Sequence, residues 1–349
     1  MSLTATFLPT RLTALDLLED LESLVELVRG IHNLKDRHRR TKDGVEGTVL
    51  TIGAFDGLHR GHRAVLEHLR LRAEQAALPS VVVTLEPLPR EYFSPLDAPP
   101  RLMSFREKCE GLAELGIDTV LMVRFNDKMR NMEATEFIEH VFVEGLSARH
   151  IVVGDDLRFG RDGGGDFDLL EGLALKHNFT VEDTSTLALE GQRVSSTRIR
   201  QLLEAGDFDE AELLLGRPYS ISGKVVYGQQ LGRTLGTPTA NVELHRLRTA
   251  MSGVYAVEVQ IQSAGNIKSA EAPWLPGVAN VGCRPTVNDS IKAILEVHLL
   301  DFSGDLYGKR ISVRFRNKIR EEQKFASLDL LKEQIHRDVD TARTFFTDK

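Results

Sequence analysis

Cysteine is nearly absent, with two residues, Cys109 and Cys283, in a chain of 349. That is too few for a disulfide framework or a Cys-based zinc site, and it suits a reducing compartment. Long apolar runs are missing as well: none approaches the roughly 18 residues that a membrane span requires. The N-terminus has neither a basic n-region nor an apolar h-region, so secretion is not expected. An excess of basic charge is also lacking, since 44 Lys and Arg against 51 Asp and Glu leave a net charge of −7 at pH 7. This argues against a dedicated nucleic-acid binder. One short basic cluster, Arg37-His38-Arg39-Arg40, reads as a solvated loop. The expectation is a cytoplasmic protein, a monomer or weak homo-oligomer, whose partners are small soluble molecules rather than nucleic acid or membrane.

The length suggests two domains, each large enough for its own core. The stretch that organises the first is Thr51-Ile52-Gly53-Ala54-Phe55-Asp56-Gly57-Leu58-His59-Arg60-Gly61-His62. Thr48 to Ile52 is apolar or β-branched, as a buried strand requires. Val65, Leu66, Leu69 and Ala73 then recur at helical spacing. Gly53 and Gly57 let the backbone turn and approach a ligand closely. A helix N-terminus offers free N–H groups and a positive dipole end to a phosphate. His59 and His62, three apart, would share one helical face.

Ala14, Leu17, Leu18, Leu21, Leu24, Val25 and Val28 recur at helical spacing between acidic residues, which predicts an amphipathic surface helix or one that binds a partner. Strands are expected at Val81–Leu85, Thr119–Val123 and Ile151–Gly154, with helices over Ser104–Leu115, Glu133–Leu146 and Phe167–His177. Such alternation implies a parallel sheet flanked by helices, with ligands at the carboxyl ends of the strands. The run Arg161 to Asp166 reads equally as a mobile surface loop or as one that closes over a ligand. Val194-Ser195-Ser196-Thr197-Arg198-Ile199-Arg200 has hydroxyls suited to a helix N-cap. Its two arginines sit where the helix dipole disfavours cations, a cost that a bound polyphosphate would reverse. Two short helices meeting at Gly206 follow.

From Gly216 the pattern changes to alternating strands and Gly/Pro turns: Ile221–Tyr227, Gly253–Gln262, Val278–Gly282, Ala293–Phe302 and Arg310–Phe315. This predicts a small antiparallel barrel. Ser327 then caps a last helix with Leu328, Leu331, Ile335 and Val339 on one face. Within the barrel, Gly228-Gln229-Gln230-Leu231-Gly232-Arg233-Thr234-Leu235-Gly236-Thr237-Pro238-Thr239-Ala240-Asn241 is either a phosphate-cradling loop or an Asx-type turn. If Thr239 to Asn241 is extended, Thr239 and Asn241 point to one side, a pair of neutral oxygens that suits Mg²⁺. Ile294, Glu296 and His298 share one strand face.

These motifs resemble those of the bacterial bifunctional riboflavin kinase/FAD synthetases over nearly the whole chain. The first stretch resembles the nucleotidyltransferase signature G-x-F-D-G-x-H-x-G-H, and Ser195–Arg200 resembles the second, S-S-T-x-x-R. Thr84–Glu91 and Gly154–Gly160 match further blocks, with Leu88 and Leu157 replacing the usual His and Phe. Gly228–Asn241 resembles the riboflavin kinase signature, with Thr237 for the usual Phe; Gly277–Thr286 and Leu295–Phe302 match two more blocks.

The resemblance implies an α/β plus β architecture: a Rossmann-like nucleotidyltransferase domain, then a riboflavin kinase barrel. The expected divisions are an N-terminal extension over 1–26, an FMN adenylyltransferase domain over 27–196, a helical linker over 197–216 and the kinase over 217–349. The implied nucleotide and phosphate contacts are Gly53, Phe55, Asp56, Gly57, Gly61, Ser196, Thr197 and Arg198 in the first domain. Gly228, Gly232, Arg233 and Gly236 take that role in the second. Asn126, Asp156, Arg158 and Phe159 are the implied flavin contacts, and Thr239 and Asn241 the Mg²⁺ ligands. His59, His62 and Arg200 would neutralise the polyphosphate during FMN adenylylation to FAD. Glu296 would act as general base in phosphorylation of riboflavin by ATP. An enzyme retaining one of the two activities, or a non-catalytic flavin-binding regulator, is the alternative.

Overall fold

The computed structural model describes residues 25–35, 38–39, 44–184, 187–189, 192–228, 237–262, 272–285 and 291–348. The helix expected from Ala14 falls outside them as far as residue 24, as do Gly232, Arg233 and Gly236 of the barrel loop.

Six strands make the first sheet: β1 (Glu26–Arg29), β2 (Thr48–Ile52), β3 (Ser80–Glu86), β4 (Thr119–Arg124), β5 (Ala148–Gly154) and β6 (Thr180–Thr184). Their order is β1-β4-β3-β2-β5-β6, and every neighbour pairs in parallel. All five residues of β2 are buried, as a central parallel strand covered on both faces must be. The chain runs from β2 to β3 and β4 on one side, then crosses to β5 and β6 on the other. β2 is therefore the switch point of the sheet, outside whose carboxyl end ligands bind in such folds. Gly53 stands there.

Three local expectations are corrected. Val25 and Val28 do not continue a helix. Val28 lies in β1 opposite Leu121, because the open backbone edge of β4 takes up the segment. Thr180–Thr184 is too polar to read as a strand, yet it completes the sheet at β5. The helix over Glu133–Leu146 is α-helical only at Ala134–Phe137 and continues with wider π-type turns over Ile138–Gly145.

A short hairpin, β7 (Ala188–Leu189) and β8 (Gln192–Arg193), precedes the helices Ser196–Ala205 and Phe208–Leu215. Then β9 (Ser220–Val226), β10 (Ala240–Glu243), β11 (Gly253–Gln262), β12 (Leu275–Pro285), β13 (Ile291–Leu299) and β14 (Arg310–Arg320) close a barrel in the order β10-β13-β12-β11-β14-β9. Its neighbours are antiparallel, and alternation sorts the side chains. Ala293, Leu295, Val297 and Leu299 of β13 are buried in the barrel core, while Ile294, Glu296 and His298 face outward, partly exposed. Ser327 caps the final helix, Leu328–Thr347, as expected. Ala342, Val339, Phe345 and Phe346 of that helix cover Val254, Ala256, Val278 and Leu300 on the barrel's outside. Leu328, placed on the apolar face by its spacing, is 65% exposed, so the helix packs through its C-terminal half.

By contacts the chain divides into two compact units that interleave. One takes in residues up to Ala54, Val65–Pro89 and Phe105–Thr184; the other takes in Phe55–Ala64, Arg90–Ser104 and everything from residue 185. The turn Phe55–Ala64 and the segment Arg90–Ser104 belong with the C-terminal part because buried polar groups tie them to it.

Candidate functional site

The turn after Gly53 is strained. Phe55 and Leu58 have φ of 47° and 42°, and Gly57 has 89°. Left-handed conformations at bulky residues cost on the order of 1–3 kcal/mol each and persist where the surroundings dictate them. Here Phe55, Asp56, Leu58 and His59 are all buried. Gly57 is required twice over, since a Cβ there would also lie 2.7 Å from Leu102 Cδ1. His59 stands just before the helix Arg60–Ala76. Its Nδ1 accepts a hydrogen bond from the His62 backbone N–H at 3.2 Å. The neutral His59 ring therefore carries its proton on Nε2. The two imidazoles stack with centroids 3.6 Å apart and planes 15° from parallel. The Phe55 ring meets His62 edge-on at 5.3 Å. The helical spacing read from the sequence thus brings both imidazoles to one helix N-terminus.

The second signature meets the first. The Asp56 carboxylate accepts from the backbone N–H groups of Leu102 and Met103, at 3.0 Å each, and from Arg200 Nη2 at 2.5 Å. Arg200 Nε also donates to Pro100 O at 2.7 Å. Ser196 Oγ donates to the Asp56 carbonyl at 2.8 Å. Ser195, not Ser196, is the N-cap, its Oγ accepting from Arg198 N. Arg198 Nη2 pairs with Glu210 at 2.7 Å. The arginines that looked costly near the helix start are thus offset by carboxylates of the protein itself, and a polyphosphate is not needed to explain them. The Asp56 carboxylate is likewise held by donors of the protein itself. Thr197 is exposed in the first turn. One contact went unread in the sequence: Arg217 Nη2 donates to Gly57 O at 3.0 Å. A lone arginine after a helix carried no signal for it.

The implied flavin contacts divide. Asp156 and Arg158 are exposed after β5. Asn126 caps the helical turn Asp127–Arg130, its side chain accepting from Met129 N. Phe159 is 5% exposed and packs on Phe137 and Phe142. The Arg161–Asp166 run is tied down by Arg161 N donating to Met132 O at 2.8 Å, and by Asp166 capping the helix Phe167–His177.

The barrel carries a polar row. Glu296 of β13 stands in register with Asn241 of β10 on one side and with Asn280 of β12 on the other. All three are partly exposed. Asn280 carries no signal of its own in the sequence, where it is one polar residue in Gly277–Thr286. A Cβ on Gly228 would lie 2.2 Å from Asn241 Nδ2 and 2.7 Å from Oδ1, so the amide sits in a space that only glycine leaves. His298 Nδ1 hydrogen-bonds to Pro238 O at 2.9 Å, pinning the approach to Thr239. A hydroxyl, an amide oxygen and a nearby carboxylate are hard oxygen donors of the kind Mg²⁺ takes.

Comparison with known proteins agrees with both halves. A family model described as FAD synthetase matches residues 41–198, and one described as riboflavin kinase matches 215–346. A curated bifunctional riboflavin kinase/FMN adenylyltransferase of Pseudomonas fluorescens is 51% identical over 91% of this chain and 97% of its own. This chain belongs to the bifunctional riboflavin kinase/FMN adenylyltransferase family. The Escherichia coli K12 member is 49% identical over 92% of this chain and 98% of its own, so the family resemblance spans both parts. A crystal structure described as a macrolide-efflux protein from Streptococcus pneumoniae covers 92% of this chain at 28% identity, with a TM-score of 0.68. The efflux description is said of that protein. Among the described residues here, no helix is long and apolar enough to cross a membrane.

Proposed function

We propose that the two activities of this family, riboflavin kinase and FMN adenylyltransferase, are divided between the two residue sets just described. The observation that carries this reading is the in-register row Asn241–Glu296–Asn280 beside the Gly228 space, set on strands. The stacked His59 and His62 belong to a separate stretch at a helix start. Glu296 takes the proton of the riboflavin 5′-hydroxyl as that oxygen bonds to the γ-phosphorus of ATP and the bond to ADP breaks. Thr239 and Asn241 would hold Mg²⁺, whose part when bound is to neutralise phosphate charge. Gly228 is proposed to line the phosphates; Gly232, Arg233 and Gly236, to which the resemblance gives the same role, lie outside the described residues.

For the second reaction, an FMN phosphate oxygen attacks the α-phosphorus of a second ATP, and the bond to pyrophosphate breaks. No protein nucleophile is needed. His59 and His62 donate to the polyphosphate at the helix N-terminus, with Thr197 and the backbone of Gly57 and Gly61 around it. Arg200 acts through Asp56, and Asp156 and Arg158 face the flavin. The compartment we propose is the cytoplasm, where two unpaired cysteines are stable. His62→Ala loses FAD synthesis and keeps FMN synthesis. Glu296→Ala does the reverse when FMN is supplied. If either variant, soluble and folded, lost both steps, the division would be wrong.

A further inference from the structure

The segment joining β10 to β11 sends two arginines to the backbone of residues 98–102. Arg246, 8% exposed, donates through Nη1 to Arg101 O at 3.3 Å and Leu102 O at 3.2 Å. Arg248 Nη2 donates to Ala98 O at 2.5 Å. The Leu102 residue is bound at both of its polar groups: its C=O accepts from Arg246, and its N–H donates to the buried Asp56 carboxylate at 3.0 Å. Asp56 in turn holds Arg200 by its carboxylate and Ser196 by its carbonyl. All of these residues lie in the second compact unit.

A buried guanidinium is costly unless its donors find acceptors, and here Nη1 finds two backbone carbonyls. Those carbonyls belong to a segment with little regular structure, Ser94 to Ser104. Without Arg246 the Leu102 carbonyl loses its cationic partner, and the Leu102–Met103 peptide is left held through its Met103 N–H on Asp56. The Leu102 and Met103 N–H groups are what hold Asp56 in the strained turn between Phe55 and Leu58. A shift of the turn moves His59 and His62 with it, and misplacement of about 1 Å can cost roughly 100-fold in rate.

We propose that Arg246, within the stretch matching the riboflavin kinase model, is a positioning residue for FMN adenylylation, acting through Leu102 on Asp56 and the His59–His62 turn. This rests on the reading of that turn as the adenylylation site. The Nη1 contacts of Arg246 run to the carbonyls of Arg101 and Leu102, so its loss is expected to fall on the reaction of the turn.

The test uses the full-length protein and assays both reactions separately, with riboflavin and with FMN as substrate. Arg246→Ala lowers kcat for FAD formation about 10- to 100-fold, with KM for ATP changed less, and leaves riboflavin phosphorylation within about twofold. Arg246→Lys restores part of the loss, since an ammonium reaches one carbonyl. The double variant Arg246→Ala/Arg200→Ala is no slower than Arg200→Ala alone, because both act through Asp56. Unchanged FAD formation, equal loss of both activities, or multiplying effects in the double variant would overturn the proposal. If Arg246→Ala does not fold, Arg246→Lys with the same two assays decides. His62→Ala is the control. If it keeps FAD synthesis, the reading of the turn has failed; if it loses FAD synthesis while Arg246→Ala does not, only the role of Arg246 has.

Discussion

Asp56 shows how a motif residue can be tied to distant parts of its own chain. Its carboxylate has three donors in the protein, two amides and Arg200, and is almost fully buried. Removing one partner of a buried ion pair leaves the other charge uncompensated, at about 3–5 kcal/mol. Arg200→Ala should therefore cost about 3 kcal/mol in urea unfolding, the remaining amides keeping the loss at the low end; less than 1 kcal/mol would show the pair to be incidental. The two cysteines give a second prediction. Burial pushes the Cys109 thiol up to about 12, so below that pH it stays neutral and unreactive. Cys283 is exposed in part, its thiol also raised by burial and by Glu322. A thiol reagent at pH 8 should label the folded protein once, at Cys283, and twice in denaturant. Labelling of Cys109 in the folded protein would mean that the helix Phe105–Glu114 opens readily.

At the scale of elements, glycines decide two sites. Gly228→Ala would drive a methyl group into the Asn241 amide, so riboflavin phosphorylation should fall at least 10-fold while FMN adenylylation persists. Parallel measurement of the two rates checks this, and an unaffected kinase would remove Gly228 from the site. Much of this level was legible in the sequence: β2, the helix after it, the barrel strands and the Ser327 cap all follow from periodicity and capping chemistry. Less legible were elements whose partners are distant in sequence. β1 and β6 exist because β4 and β5 offer backbone edges, which no local pattern in Glu26–Arg29 or Thr180–Thr184 announces. Residues of the site divide in the same way. His59, His62, Asn241 and Glu296 fall where motif spacing puts them. Phe159 turned inward to a cluster with Phe137 and Phe142, and Arg217, Arg246 and Asn280 gain their meaning only from the fold.

At the scale of the whole molecule, chain order and compact units do not coincide. The stretches matching the two family models follow one another, 41–198 and then 215–346, while Phe55–Ala64 and Arg90–Ser104 join the C-terminal unit. The turn Phe55–Ala64, which we propose serves adenylylation, is thus built partly on residues that follow it by more than a hundred positions, Ser196, Arg200 and Arg217 among them. The central claim is that one chain carries two separable reactions in series. It is tested most directly by chromatography of the products formed from riboflavin, ATP and Mg²⁺ by the unaltered protein and by His62→Ala. The predicted result is FMN followed by FAD from the first, and FMN alone from the second. FAD from His62→Ala, or no FMN at any time from the unaltered protein, would contradict it.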